Sequence, residues 1–304
     1  MALALTVALA LDRVFGEPPP RWHPVVWMGH YLGAVGPRLC RWQPAAAFLG
    51  GLVAWCLGAL LVTGMAAALQ AGLHQLLGTG LSAGVASGLA VGIALKPMLA
   101  WRMLFDEVRA VEQAFERGLP AARARLARIV SRDTTSLSPQ QVREAALETL
   151  AENLNDSVVA PLMWFVLAGL PGAALYRYAN TADAMWGYRG RWEWAGKAAA
   201  RIDDVMSWLP ARVTALLLLG PHQRLWRRLG AVARRTPSPN GGWPMGALAL
   251  RLGVCLRKPQ VYVLNEHGRQ VEPTDTARAL AWAAQAGLAA AALALALCLV
   301  RWRT

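Results

Sequence analysis

Residues 42–95 read WQPAAAFLGGLVAWCLGALLVTGMAAALQAGLHQLLGTGLSAGVASGLAVGIAL and contain no Asp, Glu, Lys or Arg. A helix that crosses a bilayer needs about 20 apolar residues, so this stretch is long enough for two such helices and a turn. We predict the helices at residues 44–69 and 81–99 and the turn at residues 74–80. Buried helices of a soluble protein are the alternative, but the lengths of the two runs favour a bilayer.

A second charge-free stretch, residues 279–300, lies between Arg278 and Arg301 and predicts one more span. Hydrophobic residues make up 56% of the 304-residue chain, against roughly 45–50% in soluble domains. Residues 157–176 and 205–220 are also apolar, but proline interrupts both. Non-helical backbone at membrane depth is tolerated where it lines a cavity. The sequence therefore predicts an all-α, polytopic integral membrane protein with broken or re-entrant helices and a cytoplasmic helical region.

Changes in hydropathy and charge along the chain predict five segments. They are an N-terminal segment with a transmembrane hairpin (1–100), cytoplasmic amphipathic helices (101–156), a membrane-embedded core (157–221), a basic cytoplasmic loop region (222–277) and a C-terminal transmembrane helix (278–304).

The net charge of the chain is +13. In a soluble protein this excess would suggest phosphate contacts with nucleic acid. In a membrane protein the simpler source is the excess of Lys and Arg in cytoplasmic loops. Residues 222–276 carry nine basic and three acidic residues, whereas the turn at residues 74–80 carries neither. We therefore expect the chain to interact with a lipid bilayer and not with nucleic acid. We expect the basic segment on the cytoplasmic side of the membrane and the turn on the opposite side.

A helix start is encoded at Ser138, with Pro139 as the first helical residue and Gln141 as the capping-box partner. The helix that follows carries four acidic residues at intervals of four, which places them on one face: Glu144, Glu148, Glu152 and Asp156. This stripe could hold a divalent cation through oxygen ligands, or it could be a solvated face paired with Arg132 or Arg143.

Glu152 and Asp156 are followed directly by an apolar run, and acids at the edge of a membrane tend to persist where they are functional. Asp203 and Asp204 form an adjacent carboxylate pair, whose mutual repulsion a bound Mg²⁺ would relieve. The alternative is ion pairing of the aspartates with two nearby arginines, Arg201 and Arg212.

Polar side chains also mark the segment between these acids. Asn180 and Asp183 are three residues apart and can face one cavity. Three basic residues lie nearby in the sequence, Arg189, Lys197 and Arg201. Their positive charges could bind phosphates or lipid headgroups. Residues 238–244 form a turn-rich loop before a helix, which is a possible anion site. The sequence has no Walker A loop, so any use of ATP rests on another design.

Six separated motifs stand out along the chain. They are LDRVFGEP (11–18) with HPV (23–25), SRDT (131–134), ENLNDSVVAP (152–161), NTADAMWGYR (180–189), ARIDD (200–204) with LPAR (209–212), and SPN (238–240). Together and in this order they resemble the cobinamide-phosphate synthase family of cobalamin biosynthesis, and the resemblance covers nearly the whole chain. Two positions depart from the family pattern: Glu17 stands where Asp is usual, and Thr236 stands where a His often precedes the Ser-Pro-Asn loop.

The resemblance implies an amide-forming membrane enzyme. It would join a corrin propionate of adenosylcobyric acid to the amine of aminopropanol phosphate or ethanolamine phosphate, with ATP and Mg²⁺ as cofactors and the corrinoid as substrate. The carboxylate would be activated most simply as an acyl phosphate. Phosphoryl transfer needs magnesium ligands and cationic clamps more than a covalent nucleophile, and the motifs supply acids, amides, arginines and one lysine.

The resemblance also suggests three roles for the candidate site residues. Magnesium would be held by Glu152, Asp156, Asp203 and Asp204. Catalysis and substrate orientation would fall to Asn153, Asn180 and Asp183, together with Asp203 and Asp204. Cofactor binding, including the phosphates, would fall to Arg132, Asp133, Arg189, Lys197, Arg201, Arg212 and Asn240.

Two other functions compete with this interpretation. A non-catalytic membrane regulator, similar to the ampicillin-resistance regulator AmpE, would not need the acid and arginine motifs. A transporter of corrinoids or other anions would often show an internal repeat, and the sequence shows none. We expect an integral protein of the bacterial inner membrane, whose partners could include other membrane-associated enzymes of cobalamin assembly.

Overall fold

The computed structural model describes residues 1–78 and 80–300. Thr79, in the predicted turn, and Arg301 and Arg303, beyond the last predicted span, lie outside the described residues. Within the described residues, four helical stretches are long and apolar enough to cross a membrane, namely Pro44–Leu77, Leu81–Arg117, Pro139–Trp186 and Pro273–Val300. They confirm the prediction of an all-α, polytopic membrane protein.

The chain divides into two compact units. Of the described residues, unit 1 comprises 1–78, 80–100, 160–206 and 293–300, and unit 2 comprises 101–159 and 207–292. The five predicted segments were defined by changes in hydropathy and charge along the sequence, whereas the two units are defined by packing. The five segments therefore stay a prediction.

Unit 1 is built from helices that pack side by side. It contains α1 (Ala2–Phe15), α2 (Pro24–Leu39), α3 (Pro44–Leu77), α4 (Leu81–Leu95), α8 (Ala160–Trp186) and the start of α9 (Lys197–Leu219), with short 3₁₀ turns at Pro20–Trp22, Lys96–Met98 and Gly190–Trp192. Helix α1 packs chiefly on α4, and α8 packs on α2 and α3.

Helix α3 runs to Leu77, eight residues beyond the predicted end, because two polar residues find partners inside the fold. Gln70 accepts a hydrogen bond from the Leu170 amide at 2.9 Å, and His74 lies 3.2 Å from the Ser87 hydroxyl. The prediction of a turn from residue 74 was therefore wrong at its start. The second predicted helix, in contrast, is shorter than predicted. Helix α4 stops at Leu95, before the predicted end at residue 99, and a 3₁₀ turn follows.

The predicted break in residues 157–176 is present in α8. Ala168 and Gly169 have non-helical backbone angles, with φ of 67° at Gly169, and Pro171 follows. Gln70 satisfies the amide of Leu170 that the break releases, which is how irregular backbone is accommodated at membrane depth.

The predicted irregularity of residues 205–220 was wrong, because α9 continues through Pro210. Proline lacks the N–H that would bond the carbonyl four residues earlier. In this chain Trp164 Nε1 donates to that carbonyl, the oxygen of Met206, at 3.1 Å.

A buried charge cluster joins α1 to the end of α4. Lys96 Nζ lies 3.3 Å from Asp12 Oδ1 and 3.0 Å from Glu17 Oε1. His23 Nδ1 accepts from the Val25 amide at 3.2 Å, so Nε2 carries the proton and donates to Glu17 Oε2 at 2.9 Å. Each carboxylate therefore has a cationic or donor neighbour.

Unit 2 surrounds α7 (Pro139–Leu154), which begins with the predicted capping box of Ser138 and Gln141 and ends in a π-turn at Asn155–Val159. The other elements are α5 (Trp101–Ala114), a 3₁₀ turn at Phe115–Arg117, α6 (Leu119–Leu126), the rest of α9, α10 (Gln223–Ala233), α11 (Gly242–Leu252) and most of α12 (Pro273–Val300). Strands β1 (Leu256–Lys258) and β2 (Tyr262–Leu264) form an antiparallel hairpin that packs on α7 and α11.

The Gly58→Ala substitution tests the close packing of α3 on α8. A Cβ at Gly58 would lie 2.0 Å from the hydroxyl of Tyr178, which is fully buried. We expect destabilisation of about 1–3 kcal/mol, since overpacking forces a shift of the ring or the helix. The apparent Tm of the purified protein in detergent measures it. Gly64→Ala on the same helix meets nothing within 4 Å and serves as the control; equal Tm values for the two variants would contradict the packing.

The pH dependence of stability tests the charge cluster. Burial alone would raise the pKa of Glu17, but its hydrogen bond with His23 and the Lys96 ammonium outweigh burial and hold the pKa below its ordinary value of 4.5. The stability that this carboxylate contributes is present at neutral pH and is lost as the pH falls through the lowered pKa. We expect the Tm of Glu17→Gln to depend less on pH in the acid range than that of the wild type. Glu116→Gln, at an exposed position, should follow the wild-type curve.

Candidate functional site

A polar cavity of about 130 Å³ lies within unit 2. Helix α7, the segment before it and the β-hairpin contribute its walls. The lining residues are Ile129, Val130, Ser131, Arg132, Glu148, Thr149, Glu152, Asn153, Lys258 and Tyr262. Three of the predicted site residues, Arg132, Glu152 and Asn153, thus face one cavity.

Arg132 is fixed by a buried ion pair with Glu148. Its Nη2 donates to Glu148 Oε2, and the Glu148 side chain is 3% exposed. A buried carboxylate is costly without a partner, so Glu148 holds the 131–132 segment against α7. The sequence left open whether Arg132 or Arg143 pairs with the acidic stripe; Arg143 instead binds Glu112 through Nε and Nη2 at 2.7–3.0 Å.

The β-hairpin supplies Lys258 and Tyr262, which were not among the site residues predicted from the sequence. Among the residues that the structure describes, Lys258 has no carboxylate within 4 Å. Burial raises the pKa of Tyr262, and the carboxylates of Glu148 and Glu152 raise it further. Tyr262 is therefore a neutral hydroxyl at physiological pH. The sequence signal that could have located the second strand is the short run Val261-Tyr262-Val263, whose residue types are enriched in strands.

Glu152 lies against the loop at residues 238–241. A Cβ on Gly241 would lie 3.1 Å from Glu152 Oε1, so glycine lets the loop approach the carboxylate closely. Ser238 Oγ accepts from the amides of Asn240 and Gly241, each at 3.1 Å. These two amides are satisfied inside the loop, whose sequence suggested a possible anion site.

Arg212 and Asn240, both predicted to bind the cofactor, bind each other. Arg212 Nη1 donates to Asn240 Oδ1 at 2.6 Å, and Nη2 donates to the Pro239 carbonyl at 3.1 Å. The guanidinium also lies over the rings of Trp208 and Trp243, 4.5 and 4.7 Å from their centroids. This geometry gives Arg212 a role in holding the loop beside Glu152.

Asp133 and Asp156 have local partners. Asp133 accepts from the amide and hydroxyl of Thr135 at 2.9 and 2.8 Å, and these hydrogen bonds hold the pKa of Asp133 below its ordinary value. Asp156 Oδ1 accepts from Asn155 Nδ2 at 2.7 Å within the π-turn. Such turns occur often at functional sites, but neither aspartate lines the cavity.

The remaining predicted residues belong to unit 1. Asn180 and Asp183 lie one turn apart on α8, and a Cβ on Gly187 would lie 2.0 Å from Asp183 Oδ1. Lys197 lies 4.3 Å from the ring centroid of Trp194. Arg189 is exposed.

Asp203 and Asp204 lie on α9, half-buried. The predicted pair of Arg201 and Asp204 is present at 3.9 Å, with the arginine side chain 77% exposed. Burial raises the pKa of Asp204, and Arg201 offsets this only in part. Residues 1–78 and 80–300 contain no group of three or more His, Cys, Asp or Glu side chains placed to hold a metal, so the four-residue magnesium set stays a prediction.

Comparisons with known proteins agree over most of the chain. The sequence signature of the family described as CobD/Cbib protein matches residues 5–296. A probable cobalamin biosynthesis protein CobD of Methanothermobacter thermautotrophicus is 41% identical over 272 residues, 86% of each chain. The cobalamin biosynthesis protein CobD of Stutzerimonas stutzeri is 39% identical over 279 residues, 88% of this chain and 86% of the relative. That of Chromobacterium violaceum is 40% identical over 262 residues, 84% and 81%. No solved structure matches the chain significantly.

The Arg212→Lys substitution tests the loop-holding role. Lysine keeps the charge but cannot span Asn240 and Pro239 or stack between two indoles. We expect a loss of about 1–3 kcal/mol in stability without any ligand present, measured as a fall in apparent Tm. Arg224→Lys, at an exposed position on α10, is the matched control. A wild-type Tm for Arg212→Lys would favour a direct role in ligand binding instead.

Proposed function

Since the chain belongs to the CobD/Cbib protein family and thus to cobalamin biosynthesis, we propose that it is an ATP- and Mg²⁺-dependent cobinamide-phosphate synthase. It joins a propionate carboxylate of adenosylcobyric acid to the amine of aminopropanol phosphate or ethanolamine phosphate. The observation that carries the proposal is the polar cavity of unit 2, where two basic and two acidic side chains of a membrane protein meet.

The chemistry of amide formation accounts for the kinds of residue present. A carboxylate acylates an amine poorly, so ATP supplies the phosphoryl group that turns it into an acyl phosphate. Phosphate oxygens then need a cation, which Lys258 can provide in this cavity, since Arg132 already pairs with Glu148. The attacking amine must lose a proton, and Glu152 is a carboxylate in the same cavity that can accept it.

Magnesium fits the Asp203–Asp204 pair better than the cavity. Of the two cavity carboxylates, Glu148 is already neutralised by Arg132. Protein-bound Mg²⁺ usually takes one or two carboxylates and completes its shell with water and substrate phosphates. Asp203 and Asp204 offer such a pair, and the raised pKa of Asp204 is what a cation would offset. These residues would hold the ion, which would neutralise nucleotide phosphates.

The membrane assignment completes the proposal. The helices of the chain are long and apolar enough to span a membrane, and we propose the bacterial inner membrane as its location. The corrinoid and the amino-alcohol phosphate are its substrates, and other membrane-associated enzymes of cobalamin assembly are its expected neighbours.

A direct assay tests the function. The purified full-length protein in detergent is incubated with adenosylcobyric acid, aminopropanol phosphate, Mg²⁺ and ATP, and the corrinoids are analysed by mass spectrometry. The proposal requires an amide adduct that forms only with ATP. Tight corrinoid binding without adduct or ATP consumption would overturn it and favour a binding or transport protein.

The Asp203→Asn substitution tests the magnesium ligands. The amide side chain keeps the size of the carboxylate but removes the charge that a divalent cation needs. We expect no adduct in the assay above, with an unchanged apparent Tm and detergent extraction. Asp106→Asn is the control, because Asp106 makes only half-exposed pairs with Arg102 and Arg109. Wild-type turnover in Asp203→Asn would remove Asp203 from the site.

A further inference from the structure

Helix α10 of unit 2 and the residues next to it carry a dense patch of positive charge. Residues 222–235 contain no acidic residue and five arginines, all of them exposed: Arg224, Arg227, Arg228, Arg234 and Arg235. The buried residues of the helix are Leu229, Val232 and Ala233, and α10 packs on α11. The side of α10 that faces away from the protein is therefore strongly cationic.

The fold neutralises only part of this charge. Arg235 pairs with Glu266 at 2.9 Å. Arg228 donates to the side-chain carbonyl of Asn265 at 3.2 Å, a neutral partner that leaves its charge uncompensated. The remaining positive charge requires an anion from outside the described part of the chain.

Arg224 and Arg227 lie at the end of α10 where a positive side chain is least favourable. Neither has a carboxylate within 4 Å in residues 1–78 and 80–300. The amides at a helix N-terminus together act as about half a positive charge. No side-chain cap and no acidic residue offsets that charge in the first turn of α10. An anion bound here would neutralise the two arginines and the helix end together.

Contacts inside unit 2 place the start of α10 beside the membrane. Arg251 on α11 donates to the carbonyl of Leu218, in the last turn of α9, and its guanidinium lies 4.4 Å from the ring centroid of Trp282. Trp282 is in the first turn of the charge-free run 279–300, which makes α12 apolar enough to span a membrane. The end of α9, from which the chain turns into α10, therefore lies at the level where α12 enters the membrane.

Trp226 ties α10 to the same level. Its Nε1 donates to the carbonyl of Gly220 at 3.0 Å, and Gly220 directly follows α9. The polar edge of the indole is thereby satisfied, while 44% of the side chain stays exposed. Tryptophan is enriched where a protein meets the interface between membrane and water. An exposed indole and the arginines thus share the first two turns of α10.

We propose that Arg224 and Arg227 bind the phosphates of anionic lipids, and that α10 is a docking surface for the lipid headgroups around α12. The proposal rests on the membrane fold and not on the synthase function. Each basic side chain near an anionic leaflet strengthens binding by about fivefold. Nucleic acid or an acidic protein segment would match the charge of the patch, but not its position beside a spanning helix and an exposed indole.

Lipid titrations of the full-length protein test the patch. The protein in detergent receives mixed micelles that contain phosphatidylglycerol or phosphatidylcholine with the same acyl chains, and the apparent Tm is recorded. A ligand that binds the folded state raises the Tm, and we expect the larger rise with phosphatidylglycerol. In the double variant Arg224→Gln/Arg227→Gln, the phosphatidylglycerol content that gives half of the rise should increase about tenfold or more, because two positive charges are lost.

Controls separate lipid binding from folding. Each rise is measured from the variant's own Tm in phosphatidylcholine, so a change in folding stability does not imitate a change in lipid binding. Arg117→Gln/Arg128→Gln removes the same charge from exposed positions of unit 2 and should respond as the wild type does. Arg224→Lys/Arg227→Lys keeps the charge and should retain most of the response. Added salt should weaken the wild-type response to phosphatidylglycerol by screening.

Several outcomes would overturn the assignment. One is an equal rise with both lipids in the wild type, and another is a wild-type response of the double glutamine variant. Glycerol phosphate carries the phosphate of the headgroup without the acyl chains. An equal rise with glycerol phosphate alone, or with a short DNA duplex, would show that the patch binds anions in general and is not a lipid-docking surface.

Discussion

Two carboxylates on one buried helix organise unit 2. Glu144 and Glu148 lie on α7 and are almost completely removed from solvent. Such groups are tolerated only with partners, and removal of one partner from a buried ion pair costs about 3–5 kcal/mol. Glu144 accepts hydrogen bonds from the Gln140 side chain and the Arg257 backbone amide, and Glu148 accepts one from the Arg132 side chain. The segment before α7 and the β-hairpin after α11 are therefore both tied to a single helix, and the cavity is the space between these attachments.

The same need for neutralising partners determines how tightly the fold holds each basic side chain in and near the cavity. Arg132 is used by the fold, because its charge cancels that of Glu148. Arg212 is likewise used, since its guanidinium is clamped by two tryptophans and two loop oxygens. Lys258 acts on the same buried Glu148 through a longer-range electrostatic interaction, without a carboxylate within 4 Å among the described residues. Lys258 is therefore held less tightly by the fold than Arg132 or Arg212.

Features encoded by neighbouring residues could be predicted from the sequence. The spans follow from apolar length, and the α7 capping box follows from Ser138 and Gln141. Features set by distant partners could not. Pro210 suggested a break, but Trp164 bonds the carbonyl that proline leaves open. Lys258 reaches the cavity only through the pairing of β1 with β2 and their packing on α7. The acidic stripe was visible, but the partner of each acid depends on the fold: Glu144 binds the Arg257 amide, Glu148 binds Arg132 at the cavity wall, Glu152 faces the cavity and Asp156 binds Asn155.

The buried Lys96 has a consequence for how the chain is made. Helix α4 has 15 residues, fewer than the roughly 20 of an independent span, and it ends at a charge that is costly at membrane depth. The carboxylates that neutralise this charge belong to Asp12 and Glu17, which leave the ribosome about 80 residues earlier. Asp12 and Glu17 are thus synthesised before Lys96. Helix α4 can therefore insert beside α1, which has already been made. The ion pairs with Asp12 and Glu17 offset part of the cost of burying Lys96, and the order of translation makes both partners available when α4 inserts.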